Sequence, residues 1–300
     1  MPGLGELAGL VAALCWSLTS LLMRVEARRA DVIVLNALRT TAAAGYLLVL
    51  LGALGWLGLH AVTLGERPAL GLALLLVSVT FAIGIGDSSY FLSMQRIGIA
   101  RAMPLSMSYP LLTTLLAVPL LGEPVTPGLV AALVLIPIGL YLVVMPAPGR
   151  VVLQKADARA LRAGLGLAMV AAVCWAVSAV TVRPALNQID LLTATTIRIT
   201  FAAGLVWLIS WRGGRLKRPG QISRTRIGMA LLGGTLSAGS MLLYLFATQQ
   251  AGAARAATIG ATSPLYAVPL SALFLGEHVT RRVVTGTLLT VLGVALLVSL

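Results

Sequence analysis

Four short stretches of this chain occur twice, in the same order. Ala13-Leu14-Cys15-Trp16 returns as Ala172-Val173-Cys174-Trp175, and Leu38-Arg39-Thr40 returns as Ile197-Arg198-Ile199, each 159 residues further on. Gly98-Ile99-Ala100-Arg101-Ala102 returns as Gly252-Ala253-Ala254-Arg255-Ala256, and Gly122-Glu123-Pro124-Val125-Thr126 as Gly276-Glu277-His278-Val279-Thr280, each 154 residues on. The offset changes once, so one half has a five-residue insertion or deletion between Arg39 and Tyr90 or their copies. One unit has been built twice, and the fold must be two related halves packed together.

The medium for those halves follows from composition. Hydrophobic residues make up 59% of the 300, only 10% are charged, and the mean hydropathy is +0.98. A water-soluble domain of this length needs far more charge to cover its surface, so the chain is built for lipid. Duplicated halves in an apolar chain are the pattern of carriers whose halves move about a shared central site. The net charge of +13 would suggest nucleic acid in a soluble protein. Here the positive residues lie in gaps between apolar runs, which reads as retention on the cytoplasmic side instead. Cys15 and Cys174 sit inside apolar runs at matching repeat positions and read as small packing residues. There is no Cys-x-x-Cys, and His60 and His278 are far apart, so neither a metal site nor a cofactor is expected. Nor is there a Gly-x-x-x-x-Gly-Lys-Ser/Thr loop for direct ATP use.

A helix needs about 20 apolar residues to cross the hydrocarbon core, and backbone groups in lipid must bond within their own segment. Ten apolar runs are predicted to be spanning helices: 4–23, 32–57, 69–94, 99–121, 127–146, 161–183, 190–211, 227–250, 254–275 and 281–300. The run at residues 7–23 is followed by Arg24, Arg28 and Arg29 and is expected to remain as the first span, not to be cleaved as a signal peptide. The expected fold is an all-α integral membrane protein of two inverted five-helix repeats, 1–146 and 161–300, joined by a cytoplasmic linker at 147–160. With the N-terminus outside, 17 of the 22 Lys and Arg residues fall in cytoplasmic connectors and three in the opposite ones, while Arg39 and Arg198 lie inside helices. Both termini are therefore expected on the extracytoplasmic side of a multi-pass plasma-membrane protein.

With these features in place, the chain resembles the EamA family of the drug/metabolite transporter superfamily. Each five-helix repeat has a Trp in its first helix (Trp16, Trp175) and an Arg early in its second (Arg39, Arg198). Each fourth helix contains a Pro and ends in Leu-Gly-Glu (Leu121-Gly122-Glu123, Leu275-Gly276-Glu277). The resemblance covers nearly the whole chain. It implies a secondary transporter of small metabolites, amino acids or drugs. In such proteins the first, third and fourth helices of each repeat line a central cavity, and the fifth and tenth lie at the periphery. The small four-helix relatives that exchange protons for cationic drugs carry a carboxylate midway along the first helix; here that helix has only Glu6, near its end.

Asp87 is the only acid well inside an apolar run, where an unpaired ionisable group costs at least about 2.5 kcal/mol. Helical spacing puts it on a face with Gly84, Tyr90, Phe91 and Met94. It reads either as a proton-coupling or amine-binding site, or as an ion-pair partner of Arg39 or Arg96. Its repeat mate is Met241. Arg39 and Arg198 read as gating or structural residues, with a carboxylate- or phosphate-binding role as the alternative. Pro110 and Pro264, also repeat mates, are expected to bend the fourth and ninth helices alike. The substrate-binding candidates are Trp16, Ser20, Asp87 and Tyr90, with Ser106 and Tyr109 on the fourth helix; in the second repeat they are Trp175, Ser178, Tyr244 and Thr262. The aromatic rings would wall a cavity and the hydroxyls supply hydrogen bonds, although Ser and Thr can also spend their bonds on the preceding turn. Glu123 and Glu277 read as connector residues facing the positive end of the next helix, with Thr126 as its cap and Pro127 at its first position.

The function expected is alternating-access transport of a small organic solute, with export as the direction, the bilayer and a coupling proton as partners, and no nucleic acid. The alternatives are a non-transporting scaffold or sensor, and a membrane-embedded enzyme. The enzyme would need clustered His, Cys or carboxylates at helical spacing.

Overall fold

The computed structural model describes residues 3–27, 30–121, 127–144, 155–217, 224–251, 253–277 and 279–299. The first repeat runs α1 (Leu4–Glu26), α2 (Val32–Trp56) and α3 (Pro68–Val79). A π-helical segment (Thr80–Asp87) then leads straight into α4 (Ser88–Ile97), followed by α5 (Ile99–Ser106), α6 (Tyr109–Leu121) and α7 (Pro127–Val144). The second runs α8 (Lys155–Ala185), α9 (Leu191–Arg212), a 3-10 turn (Arg215–Lys217), α10 (Arg224–Ala251), α11 (Ala253–Gly260), α12 (Ser263–Leu275) and α13 (Arg281–Ser299). Among the described residues six helices are long and apolar enough to cross a membrane: α1, α2, the continuous rod Pro68–Ile97, α8 from Ala158, α9 and α10. The other four expected runs are also helical, in shorter or interrupted pieces. The fourth breaks at Met107 and Ser108 and the ninth at Ala261 and Thr262. Pro110 and Pro264 each sit second in the half-helix that follows, where a missing N–H costs nothing. Residues 147–154 of the expected linker, and Glu123, Thr126 and His278, lie outside the described residues.

Helices from opposite repeats pack antiparallel. Along α7 and α13, Ile136 lies against Gly293, Gly139 against Thr290 and Val143 against Gly286. A side chain on Gly139 would run into the Gly286 carbonyl, and one on Gly286 into the Gly139 carbonyl. The two backbones touch because neither carries a side chain there. Along α1 and α10, the Ser240 hydroxyl donates to the Ala12 carbonyl at 2.9 Å while Arg226 approaches Glu26 at 3.8 Å. Along α8 and the third-helix rod, Ser93 donates to the Gly164 carbonyl at 2.7 Å and Ser78 to the Ser178 carbonyl at 3.1 Å.

The connectors gather at the two ends of this bundle. Asp31 and Asp190 are repeat mates, and each caps the second helix of its repeat, accepting from the Ile33 and Thr193 amides respectively. Each also ties its turn to the other repeat: Asp31 pairs with Arg215 at 2.8 Å, and Asp190 with His60 at 3.2 Å. The Asp190 end is stitched further. The Gly65 amide donates to the Gln188 carbonyl at 2.8 Å, and the Arg67 amide to Gln188 Oε1 at 2.8 Å. Burial pushes the Asp190 carboxyl up, but the Thr193 and Thr63 amides and the His60 ring together hold it below its ordinary value.

At the opposite end Glu277 departs from the expectation that it serves the helix next to it. Its two oxygens accept from the Ile99 and Ala100 amides, both at 3.1 Å, and Arg24 donates to it at 3.3 Å. It caps α5 of the other repeat. Gly98, at φ +78°, turns the chain so that these amides face it; a side chain on Gly98 would collide with the Glu277 carboxylate.

Candidate functional site

The π segment packs against the second repeat through its glycines. Gly84 admits the Leu205 side chain and Gly86 the indole of Trp175, both closer than any side chain at these positions would allow. Widened turns of this kind recur at functional sites. This one ends on Asp87, which is 5% exposed.

Both Asp87 oxygens are taken. Oδ2 accepts from Arg39 Nη2 at 2.8 Å and Oδ1 from Trp175 Nε1 at 3.1 Å. Of the two partners foreseen for Asp87, Arg39 is therefore the one it has. Arg39 reaches it from α2, two turns in, and donates also to Asn36 Oδ1 at 2.7 Å and to the Ser237 hydroxyl at 2.7 Å. Its guanidinium lies 5.7 Å from the Trp16 ring centroid and 5.3 Å from that of Phe91, within cation–π range. The Trp16 and Trp175 rings, repeat mates, meet edge to face at 5.8 Å. Tyr109 stands edge-on to Trp175 at 6.0 Å, and its hydroxyl lies 3.2 Å from that of Tyr244.

Arg198 occupies the same place in the second repeat with different company. The position equivalent to Asp87 holds Met241, whose sulfur is 4.0 Å from Arg198 Nη1. Nη2 lies 3.4 Å from the Ser178 hydroxyl, and Nε has no hydrogen-bond partner. Ser178 is already engaged with Ser78 at 2.8 Å.

These groups surround a cavity of about 140 Å³. Of the residues foreseen, Trp16, Asp87, Tyr109, Trp175, Ser178 and Tyr244 line it, as do Arg39 and Arg198. Four candidates do not reach its wall. Ser20 is fully buried in α1. Tyr90 is fully buried among Trp16, Phe91 and Trp175. Ser106 donates to the Ala168 carbonyl at 3.3 Å, and Thr262 spends its hydroxyl on the Ile259 carbonyl at 2.6 Å. Tyr90 follows Asp87 at regular α-helical spacing, but the Trp16, Phe91 and Trp175 rings cover it. The cavity also uses residues not foreseen, chiefly Ser237 and Ser240 of α10 and Thr40 of α2. α2 and α9 thus contribute wall along with the first, third and fourth helices of each repeat. Serines in an apolar run carry no sequence mark separating a cavity position from a packing one; Ser237 could have been suspected only through its approach to Arg39.

The EamA-like transporter family model matches twice, at residues 3–145 and 162–299. The chain belongs to the EamA-like transporter family. It is therefore a membrane transporter of the drug/metabolite transporter superfamily. A protein of Archaeoglobus fulgidus described as an uncharacterized transporter is 23% identical over 291 residues, 97% of this chain and 96% of that one. The pseudopaline exporter CntI of Pseudomonas aeruginosa is 28% identical over 139 residues, covering 46% of this chain and 47% of its own. A crystal structure superimposes with a TM-score of 0.65 at 18% identity, over 98% of this chain and 96% of that one, and so shares the fold. For an EamA-like chain, the Trp16–Trp175 contact and the Arg39–Asp87 pair place its repeated and unrepeated residues around one interior space.

Proposed function

We propose that this protein is a secondary carrier that moves a small organic solute across the plasma membrane by alternating access. The reading has ten membrane-crossing segments, arranged as two inverted five-helix repeats with both termini outside. The observation that carries it is the central cavity, built from both repeats and placed where antiparallel helices meet. A solute held there touches both halves, so tilting one half against the other would change the side to which it is exposed. The basic connectors at the Arg24–Glu277 and Asp31–Arg215 end would face the cytoplasm. Export is favoured by the likeness of half the chain to an exporter of pseudopaline. Asp87, faced by Arg39 and Trp175 and within electrostatic reach of Arg198, is the group through which a proton gradient would act.

Two measurements test this. Single cysteines at Leu59 and Gly214, in a background lacking Cys15 and Cys174, should label from outside and inside the cell respectively; labelling of both from one side would break the topology. Uptake into inverted vesicles should depend on pH in the wild type and lose that dependence in Asp87→Asn. An unchanged pH profile would remove Asp87 from coupling.

A further inference from the structure

Granting the carrier reading above, we infer that the solute is a small organic monocarboxylate with a compact apolar body, and that Arg198 binds its carboxylate. Three fixed charges line the cavity among the described residues: Arg39, Arg198 and Asp87. Asp87 is consumed by Arg39 and by the Trp175 N–H. One positive charge is left over, on Arg198.

That charge is poorly served by the protein. Arg198 is 2% exposed, yet its neighbours are a hydroxyl at 3.4 Å and a thioether sulfur at 4.0 Å, and its Nε–H is bonded to nothing. No described carboxylate forms an ion pair with it. A buried guanidinium has five donors and no acceptor, and leaving it unpaired is costly. A carboxylate fits its fork with two parallel hydrogen bonds.

Among the described residues a second buried, unpaired side-chain atom on the cavity wall is also a donor, Trp16 Nε1. A cationic solute would find neither a free acceptor carboxylate nor relief from Arg198; a zwitterion would bring an ammonium group with no counter-charge. The rest of the wall is uncharged: mostly apolar or aromatic, with Ala12, Ala43, Ile199 and Tyr244 among it, and hydroxyls at Thr40, Ser178, Ser237, Ser240 and Ser263. A space of about 140 Å³ is close to the roughly 150 Å³ that accepts a benzene ring. The site is asymmetric in charge: the repeat mate of Met241 is the acid that neutralises Arg39, and the mates of Asn36 and Ser237, which also bond Arg39, are Thr195 and Ile83.

The test uses four one-ring probes that differ in charge: benzoate, benzylamine, phenylalanine and benzyl alcohol. Thermal unfolding of the purified full-length protein in detergent gives the affinity for each. Benzoate should stabilise the wild type, and the other three should do so at least tenfold more weakly. Arg198→Gln should weaken benzoate binding at least tenfold, and Arg198→Lys less. Met241→Asp, which keeps Arg198 but supplies the acid missing from the second repeat, should weaken it as much as Arg198→Gln and covers the case in which that variant misfolds. Benzoate binding unchanged in Arg198→Gln and Met241→Asp would overturn the inference, as would a preference for benzylamine or phenylalanine, or no binding of any probe. Flux through proteoliposomes separates the two readings. Benzoate binding without flux of any probe would defeat the carrier and leave the anion site standing; flux of benzylamine alone would do the reverse.

Discussion

Asp87 and Arg39 meet at 2.8 Å inside the bundle, with side chains 7% and 4% exposed, while their repeat mates Met241 and Arg198 approach only as sulfur to guanidinium. The two halves share a backbone plan and differ in the electrostatics of their centres. Pairing in one half satisfies a buried cation with protein groups; the other half leaves the equivalent cation facing the cavity.

Breaking the pair should cost stability. Removal of one member of a buried, hydrogen-bonded ion pair costs about 3–5 kcal/mol. Asp87→Asn and Arg39→Gln are each expected to lower the unfolding midpoint in detergent. The double variant should recover part of the loss, because it strands no charge. A double-mutant cycle measures this, and strictly additive losses would mean the two groups do not interact.

The α7–α13 seam should be intolerant of even a methyl group. Gly139→Ala and Gly286→Ala each set a side chain against a backbone carbonyl of the other helix. Overpacking of this kind costs about 1–3 kcal/mol. Neither glycine borders the cavity, so benzoate affinity in the folded fraction should equal that of the wild type. Binding that falls in step with stability would show that the seam shapes the site.

The Asp190 tie predicts a pH dependence with a definite sign. Its folded-state carboxyl sits below the ordinary value of 3.8, so the unfolded chain takes up the proton more readily. The contribution is complete above that value and is lost as the pH falls through the folded one. Stability measured from pH 6 down to pH 3 should decline less steeply in Asp190→Asn than in the wild type. Asn can still cap the helix, and loss of the charge at its N-terminus should lower the plateau by roughly 0.5 kcal/mol. Parallel curves would remove Asp190 as the source.

Glu277 should protect a helix it does not belong to. Glu277→Ala deprives the Ile99 and Ala100 amides of their acceptor and leaves Arg24 its bond to the Gln95 carbonyl. Hydrogen exchange at these two amides is expected to accelerate severalfold while the start of α2, capped by Asp31, is unchanged. Equal acceleration at both places would point to general loosening.

Much of this architecture is written in the sequence. Repetition locates Trp16 with Trp175 and Arg39 with Arg198, and the apolar runs locate the helices, because lipid leaves the backbone no alternative to helical bonding. Asp87 stands out as an isolated acid, and Arg39 is one of the two partners its position allows. The π segment is not legible, and neither is the packing of Leu205 and Trp175 from the other repeat against its Gly84 and Gly86. Nor does spacing from Asp87 reveal that Trp16, Phe91 and Trp175 cover Tyr90. Glu277 is misassigned because its partners, Ile99 and Ala100, are far away in sequence and reach it only when the repeats close on each other. Repeat symmetry also suggests like roles for Arg39 and Arg198, and the unlike mates around them, Asp87 and Met241 above all, separate them.

The exchange of Asp87 for Met241 constrains how the halves can be combined. Two copies of the segment carrying Asp87 would assemble with every guanidinium neutralised, leaving nothing to attract an anion. Two copies of the segment carrying Met241 would crowd a pair of naked cations into one greasy chamber. Only the unlike couple holds one charge quiet and one available, so severed halves co-expressed as separate polypeptides should regain function as heterodimers and never as homodimers.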